Sequence, residues 1–503
     1  MPSLKIYNTL TRQKELFTPI HPGFVGMYVC GPTVSGESHL GHAKPYITFD
    51  VIYRYLMHLG YRVRYVRNIT DAGHFEEESR PALDKISVKA ATERLEPMEL
   101  VQKYTNLFHQ AMDRFNCLPP TIEPTATGHI IEQINMIEDI LKKGYAYVVN
   151  GSVYFDVDKY ASDHHYGILS GRSLEDLKEN TRHLESQQEK RHQVDFALWK
   201  NAPPGHIMRW KSPWGEGFPG WHIECSAMSA KYLGSPFDIH GGGMDLIFPH
   251  HESEIAQGEI ATGHLMARYW IHNNMITVNG RKMGKSYNNT ITLSEMFQGT
   301  SPVLDRAYSP MVIRFFILQT HYRSTLDFSN EALAAAEKGW NRLSAAYATL
   351  QRLSNSRDEG AGASGSPDPE LEQKIRGYCQ DCADSMADDF NTARVLATLF
   401  EIAPLVNGLE GGQIPRSGIS QESLHLLRDC FQLYLVDLLG MLPDCGSQDS
   451  GKLDGVLELV AEMRNQARAR KDYASSDRIR DALQSLGILL QDGKDGKTTW
   501  TEL

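Results

Sequence analysis

The chain has no apolar run long enough to cross a bilayer, although it contains 503 residues. A membrane-spanning helix needs about 20 consecutive apolar residues, so the sequence excludes an integral membrane protein of the helical kind. The first residues, Met1 to Tyr7, also lack the charged and then apolar layout of a secretory signal. We therefore expect a cytoplasmic protein, and its length predicts several domains around a substantial buried core.

Cysteine is scarce, and the seven cysteines are dispersed over the whole chain. A disulfide framework is typical of short secreted chains that are dense in cysteine. This odd and scattered set instead predicts free thiols or metal ligands. The segment Cys379-Gln380-Asp381-Cys382 is a lone CxxC without a paired second motif, and we interpret it as incidental.

An excess of basic residues is also missing, because the net charge is -11. This acidic balance excludes a general nucleic-acid coat protein, so any contact with RNA must use a local basic surface. One such surface lies near the end of the chain, where Asp472 and Asp477 are the only acidic residues within a group of basic ones: Arg464, Arg468, Arg470, Lys471, Arg478 and Arg480.

Hydrophobic periodicity predicts an α/β unit near the start of the chain. Met27 to Cys30 has the composition of a short buried strand, and apolar residues then recur at helical spacing from Phe49 until Gly60. The alternating segment from Arg62 to Ile69 predicts a second strand. The Gly/His-rich turn before the helix would place helix N-terminal amides where they can receive phosphate. From about Asn330 the pattern is almost wholly helical.

Three separated motifs carry the chemistry of this sequence. The first is Cys30-Gly31-Pro32-Thr33 followed by His39-Leu40-Gly41-His42. The second joins Trp221-His222-Ile223-Glu224-Cys225, His240-Gly241-Gly242-Gly243-Met244-Asp245 and His250-His251-Glu252-Ser253-Glu254, and the third is Lys282-Met283-Gly284-Lys285-Ser286. In this order the motifs resemble those of the cysteinyl-tRNA synthetases, a family of class I aminoacyl-tRNA synthetases. The resemblance extends from the N-terminus to Trp500.

The resemblance implies an α/β fold, namely a Rossmann-type class I catalytic domain with a parallel sheet. A connective-peptide insertion would interrupt this domain, and an α-helical bundle and a small C-terminal anticodon-binding module would follow it. The expected boundaries are 1–118 for the first catalytic half with the HLGH motif, 119–215 for the insertion, 216–262 for the second catalytic half, 263–329 for the KMGKS loop and stem-contact region, 330–443 for the helical-bundle anticodon-binding domain, 444–455 for a linker, and 456–503 for the C-terminal module.

Four residues could bind a metal ion: Cys30, Cys225, His250 and Glu254. His250 and Glu254 would share one face of a helix, and the two cysteines are predicted at the ends of two strands. Thiolate, imidazole and carboxylate are usual zinc donors, but scattered cysteines are more often small core residues. The resemblance implies one zinc ion per chain on all four positions. His251 could also approach a metal, although the register with Glu254 and the family pattern both favour His250.

Zinc would suit cysteine as a substrate, because a thiol can deprotonate and take the open position of the metal. A serine hydroxyl cannot repeat that bond. This discrimination exceeds the selectivity of an apolar pocket, so no editing domain is expected. By the resemblance, Thr70, Trp221 and His240 surround L-cysteine, although a tryptophan beside a sheet is equally often a core residue.

An ATP site is predicted from the two signature motifs and a glycine run. Attack of a carboxylate on the α-phosphate builds negative charge that preorganised donors must stabilise. His39 and His42 can act from one side as catalytic and ATP-binding residues. Lys282 and Lys285 can close over the β- and γ-phosphates from the other side. The family pattern implies that Mg²⁺ accompanies the ATP. It also implies that the backbone at Gly241, Gly242 and Gly243 lies close to the nucleotide and that Asp245 binds the ribose.

Two segments depart from the family pattern. Gly284 stands where the family usually has serine, which predicts a more flexible KMGKS loop. Residues 72–83 form an insertion relative to the usual family spacing, and their polar and acidic composition predicts a solvated loop at the rim of the active site.

The C-terminal part would bind tRNA(Cys). Asp389 to Ala393 opens a segment that is similar to the family's helical bundle, and Lys471 to Trp500 resembles its terminal module. Unpaired bases stack on aromatic rings or guanidinium planes and present their edges to Asp and Arg. A solvated amphipathic helix with charge pairs is the alternative. The family motif implies base-reading or stacking roles for Arg468, Tyr473, Asp477, Arg480 and Asp492.

The motifs and the family resemblance together imply a monomeric, zinc-dependent ligase that makes cysteinyl-adenylate and transfers cysteine to the 3′ end of tRNA(Cys). Two other hypotheses stay open. The related cysteine ligase of mycothiol synthesis shares the zinc and ATP motifs but joins cysteine to an amino sugar, and the anticodon-like tail counts against it. An RNA-binding protein without catalysis is the other, and the intact signature motifs and zinc donors count against that.

Overall fold

The computed structural model describes residues 2–72, 85–180, 189–203, 206–284, 287, 289–355, 367–443, 448–470, 472–485, 488–492 and 498–502. The chain forms two compact units, Met1–Met441 and Leu442–Leu503. Within these described ranges, no helix is both long enough and apolar enough to cross a membrane.

A four-stranded parallel sheet lies at the centre of the larger unit, after a hairpin of β1 (Lys5–Asn8) and β2 (Gln13–Leu16). Its strands are β3 (Phe24–Val29), β4 (Arg62–Arg67), β10 (Phe237–Gly243) and β11 (Ala267–Asn273), in the order β11-β10-β3-β4. Helix α1 (Leu40–His58) connects β3 to β4, and α8 (Glu252–Thr262) connects β10 to β11. The predicted parallel α/β domain and its strand–helix–strand unit are confirmed.

Helix α1 begins at a capping box that its own motif supplies. His39 is the N-cap residue, its side chain accepts a hydrogen bond from the Gly41 amide, and His42 bonds back to the cap. Gly60, with φ of +87°, follows the helix end. A Cβ on Gly241 would lie 2.2 Å from the Phe49 ring, so the close packing of α1 on β10 requires glycine there.

A second sheet and several helices are inserted between the two halves of the catalytic domain. The antiparallel sheet has the order β5-β6-β7-β9-β8, with β5 (Ala146–Val149), β6 (Ser152–Phe155), β7 (Phe196–Asn201), β8 (Trp210–Ser212) and β9 (Gly215–Pro219). The helices of this part are α2 (Lys85–Glu93), α3 (Pro97–Arg114), α4 (Ile130–Lys142), α5 (Val157–Asp163), α6 (Leu174–Asn180) and, after β9, α7 (Trp221–Leu233). Strand β9 continues past residue 215, the expected end of the insertion.

A small sheet and a helical bundle complete the larger unit. The sheet has the order β13-β12-β14, with β12 (Ile276–Val278), β13 (Arg281–Lys282) and β14 (Leu326–Phe328). The helices are α9 (Leu293–Gln298), α10 (Pro310–Leu318), α11 (Asn330–Asn355), α12 (Pro369–Ala387), α13 (Thr392–Glu410) and α14 (Gln421–Phe431). The expected change to a helical pattern at Asn330 is confirmed.

A buried ion pair fixes the bundle to α1. Arg314 pairs with Asp50, and it also donates hydrogen bonds to the carbonyl oxygens of Leu439 at 2.7 Å and Phe115 at 2.8 Å. Because both charged groups are almost fully buried, loss of Asp50 would leave the Arg314 charge without its ion-pair partner. The helix that carries the HLGH motif is therefore held by groups from three parts of the unit.

The described residues of the smaller unit form two helices and a hairpin. These are α15 (Gln448–Ala469), α16 (Tyr473–Ser485) and the antiparallel strands β15 (Ile488–Asp492) and β16 (Thr498–Glu502). Helix α15 begins inside the segment 444–455 that was expected to be a linker.

Candidate active site and metal centre

Four buried side chains of the predicted metal site lie together: Cys30, Cys225, His250 and Glu254. Each offers one ligand atom, and these atoms all lie within 4.8 Å of one another. The two sulfur atoms are 3.7 Å apart, and His250 Nε2 is 3.1 Å from Glu254 Oε1. Two thiols, an imidazole and a carboxylate in this arrangement could hold a metal ion.

The elements that carry these ligands differ in one respect from the expectation. Cys30 directly follows β3, but Cys225 lies inside helix α7 and not at the end of a strand, so that prediction was wrong. Pro219 ends β9, and Gly220 is the N-cap of the helix. Because nearly every side of the first two turns of α7 is buried, its sequence lacks the amphipathic period that would have identified a helix.

His250 and Glu254 favour their charged forms even though both are buried. Burial opposes charge on His250, but Glu254 and Cys225 raise its pKa to about 10. Burial also opposes charge on Glu254, yet His240 and His250 lower its pKa to about 2. Burial raises the pKa of Cys30, whose thiol hydrogen-bonds to Cys225. A divalent cation would displace the protons of His250 and of the Cys30 thiol when it binds.

A second group of potential ligands overlaps the first. It consists of Cys30, His240, His251 and Glu254, again with ligand atoms within 4.8 Å. His251 Nε2 is 3.3 Å from Cys30 Sγ and 3.9 Å from Glu254 Oε1, while His240 Nε2 is 2.9 Å from Glu254 Oε2. The structure thus brings both neighbouring histidines, His250 and His251, to the cluster.

The three residues expected around the amino acid all border this cluster. The Trp221 ring stacks on the His250 ring with centroids 4.3 Å apart, and His240 contacts Glu254. Thr70 is linked through Asn68, whose Nδ2 donates to Thr70 Oγ1 at 3.0 Å. Trp221 and His240 therefore contact predicted metal ligands directly, and Thr70 is connected to them through Asn68.

The HLGH histidines stack on each other beside the carboxyl end of β3. Their ring centroids are 3.8 Å apart. Burial, and then the neighbouring His39, lower the pKa of His42 to about 3, so its imidazole is neutral at physiological pH. The glycine run forms the end of β10, and Asp245 is exposed just after that strand. These groups share the edge of a parallel sheet at which ligands bind in such folds.

The KMGKS motif is only partly described. Lys282 is exposed on β13, whereas Lys285 lies outside the described residues. Asn289, which the sequence analysis did not identify, bridges the motif. Its Oδ1 accepts from the Gly284 amide at 2.9 Å, and its Nδ2 donates to the Lys282 carbonyl at 3.1 Å. The expected insertion at residues 72–83 also lies outside the described part, apart from Ala72.

Comparison with known proteins agrees with this geometry. Residues 16–338 match the family of class I (C) tRNA synthetase catalytic domains, and residues 383–443 match the DALR domain. The chain is 56% identical over 495 residues to the cysteine–tRNA ligase of Porphyromonas gingivalis, with 98% of each chain covered. It is 47% identical over 513 residues to that of Chlorobaculum tepidum, covering 100% of this chain and 99% of the relative.

The chain belongs to the cysteine–tRNA ligase family. The resemblance drawn from its motifs is thereby confirmed. Among solved structures, methionyl-tRNA synthetase of Mycobacterium tuberculosis bound by methionyl-adenylate has a TM-score of 0.58 at 14% identity, covering 90% of this chain and 96% of that one. At this identity the likeness concerns the fold, and it agrees with a class I catalytic architecture.

The candidate anticodon residues of this family member lie in the smaller unit. Arg468 is in the last turn of α15, Tyr473 begins α16 and is 62% exposed, and Asp492 ends β15. Asp477 and Arg480 form an exposed ion pair at 3.2 Å. This pair fits the alternative of a solvated, charge-paired helix as well as it fits base reading, so the anticodon roles stay predictions.

Other residues that border the metal-ligand cluster were not predicted from the sequence. Asn68 Oδ1 lies 3.7 Å from Cys225 Sγ, and Glu224 Oε2 accepts from Thr70 at 3.1 Å. His222 Nδ1 is 2.9 Å from His250 Nδ1 and His272 Nε2 is 2.7 Å from His251 Nδ1. Asn68 and His272 stand at the carboxyl ends of parallel strands, which is the signal that could have identified them.

Proposed function

We propose that the protein is a cysteine–tRNA ligase. It would use ATP to convert L-cysteine to cysteinyl-adenylate and would then transfer the cysteine to the 3′ end of tRNA(Cys). The observation that carries this proposal is the buried cluster of Cys30, Cys225, His250 and Glu254 in a chain that matches the class I (C) catalytic domain. The family resemblance further supports a monomer that acts in the cytoplasm.

Zinc is the metal that this donor set favours. Two thiolates select a borderline-soft ion, and imidazole and carboxylate complete a common zinc set. When bound, zinc would supply a position that a substrate thiolate can occupy and a serine hydroxyl cannot. Trp221, stacked on His250, and His240, bonded to Glu254, would hold the rest of the amino acid over this position.

Adenylate formation would take place along the carboxyl edge of the parallel sheet. The cysteine carboxylate attacks the α-phosphate of ATP, which forms the acyl phosphate bond and releases pyrophosphate with Mg²⁺. His39 and His42 would donate hydrogen bonds to the phosphates, and Lys282 and Lys285 would stabilise the charge that develops on the leaving group. Gly241 to Gly243 and Asp245 would receive the adenosine part.

Transfer to tRNA would depend on the parts that follow the catalytic domain. The match to the DALR domain supports tRNA binding by the bundle. Arg468, Tyr473, Asp477, Arg480 and Asp492 of the smaller unit would read the anticodon.

The test is charging of a tRNA with a GCA anticodon by the purified protein, ATP and cysteine. We expect acid-precipitable cysteine on this tRNA, and little on the same tRNA with an altered anticodon. An amino-sugar ligase would instead couple cysteine to the small acceptor, and an RNA-binding protein without catalysis would charge neither. Failure to charge the GCA tRNA while cysteine activation proceeds would overturn the proposal.

A further inference from the structure

A chain of hydrogen bonds runs from the N-terminal hairpin to the sulfur of Cys30. Thr9 Oγ1 lies 2.8 Å from His272 Nδ1, and His272 Nε2 lies 2.7 Å from His251 Nδ1. The other ring nitrogen of His251, Nε2, lies 3.3 Å from Cys30 Sγ. Both rings are almost fully buried, with exposed fractions of 0% for His251 and 4% for His272.

The chain of contacts can run in only two directions. Each neutral imidazole donates from one nitrogen and accepts at the other, so a chain of contacts through two neutral rings has one of these two directions. In the forward direction the Thr9 hydroxyl donates to His272, His272 donates to His251, and His251 Nε2–H donates to Cys30. In the reverse direction His251 Nε2 would carry a lone pair, and His251 could itself be a metal ligand.

Three distances favour the forward direction. His250 Nε2 lies 3.1 Å from Glu254 Oε1, whereas His251 Nε2 lies 3.9 Å from that oxygen. The other histidine of the alternative set, His240, is already within 2.9 Å of Glu254 Oε2. The alternative set also lacks Cys225, so it offers one thiolate where the first set offers two. Once a metal ion binds Cys30 as its thiolate, the sulfur is an acceptor, and a ring N–H that faces it would make a charge-assisted hydrogen bond.

We propose that Thr9, His272 and His251 form a directional relay that donates a hydrogen bond to the metal-binding thiolate of Cys30. This inference rests on the proposed metal site and assigns His251 and His272 as positioning residues, not as ligands. The hydrogen bond fixes the sulfur and draws charge from it. A less electron-rich Cys30 leaves the bound metal better able to accept the substrate thiolate as an additional ligand.

The test uses cobalt(II) as the probe in the full-length protein, because thiolate-to-cobalt charge-transfer bands report on the sulfur ligands. Partners outside the ligand shell typically contribute about 10- to 100-fold to metal affinity. We expect His251→Ala to lower cobalt affinity by about that factor and to shift the charge-transfer band to longer wavelength. His251→Gln keeps an N–H donor, so it should recover part of both effects.

Variants further along the relay make the test more specific. Thr9→Val keeps the shape of the side chain but removes the hydroxyl, so it should shift the band in the same direction by a smaller amount. His272→Ala should fall between Thr9→Val and His251→Ala. Thermal unfolding of the metal-free variants checks that each one folds. If an alanine variant does not fold, the spectra of Thr9→Val and His251→Gln test the relay instead.

Three outcomes would overturn the relay. An unchanged band and affinity in His251→Ala would mean that the relay does not act on Cys30. Metal loss as complete as in His250→Ala, with altered ligand-field bands, would make His251 a ligand. Absence of thiolate bands in the wild-type protein would mean that the cysteines do not bind the metal. This outcome would contradict the proposed metal site, whereas the first two outcomes would contradict the relay alone.

Discussion

Glu252 offers a quantitative prediction, because its buried carboxylate holds a loop of the insertion against the metal-binding helix. The carboxylate is 1% exposed and accepts the amides of Gly167 at 3.0 Å, Ser170 at 2.8 Å and Leu169 at 3.4 Å. Hydrogen bonds to a charged group contribute about 1.5–3 kcal/mol each. The two short bonds therefore stabilise the closed loop by about 3–6 kcal/mol, and the long third bond adds little.

Glu252→Ala should open this loop locally and leave the rest of the fold intact. A loss of about 3 kcal/mol corresponds to more than about a hundredfold faster amide exchange, because each 1.4 kcal/mol is about tenfold. Hydrogen-exchange mass spectrometry of peptides that cover residues 166–172 measures this directly. Glu252→Gln keeps one acceptor oxygen without the charge, so it should give an intermediate increase.

Glu138→Gln changes a carboxylate of α4 that is 38% exposed, and it should leave exchange in this loop unchanged. Because Glu252 stands between His250 and Glu254 in the sequence, we also expect weaker metal binding in Glu252→Ala. Unaltered protection of residues 166–172 in Glu252→Ala would refute the reasoning that the carboxylate holds the loop.

Three further predictions concern the site and the partner. Cys225→Ser replaces a soft thiolate by a hydroxyl, so zinc content and cysteine activation should both collapse; full zinc occupancy by metal analysis would contradict the ligand assignment. Lys282→Ala and Lys285→Ala should each slow adenylate formation by about a hundredfold to a thousandfold in single-turnover assays, with unchanged zinc content, and a normal rate would remove that lysine as a phosphate ligand. Ending the chain after Pro443, close to the boundary of the larger unit, should retain pyrophosphate exchange but lose most tRNA charging, whereas intact charging with anticodon preference would refute the assignment of the tail.

The fold was predictable wherever the sequence has a clear period. The strand–helix–strand unit around α1 and the helical region from Asn330 follow from hydrophobic spacing, and the structure has both. Helix α7 was not predictable in the same way, because burial around its first turns removes the polar face. This is why Cys225 was expected at the end of a strand.

The candidate site was predictable as a set of residues but not as a network. Motif order placed Cys30, Cys225, His250 and Glu254 in one hypothesis, and the fold brings their ligand atoms together. The hydrogen-bond network around these ligands depends on tertiary contacts between distant parts of the chain, such as the approach of Thr9 to His272. No local spacing encodes such a contact.

The most direct test of the central claim, that the cluster binds zinc and thereby selects cysteine, is pyrophosphate exchange by zinc-loaded and zinc-stripped full-length protein. We predict exchange that depends on cysteine, disappears when a chelator removes the zinc, and returns as zinc is added back, with serine supporting little exchange in any state. Exchange that continues without bound metal, or that serine supports as well as cysteine, would contradict the account.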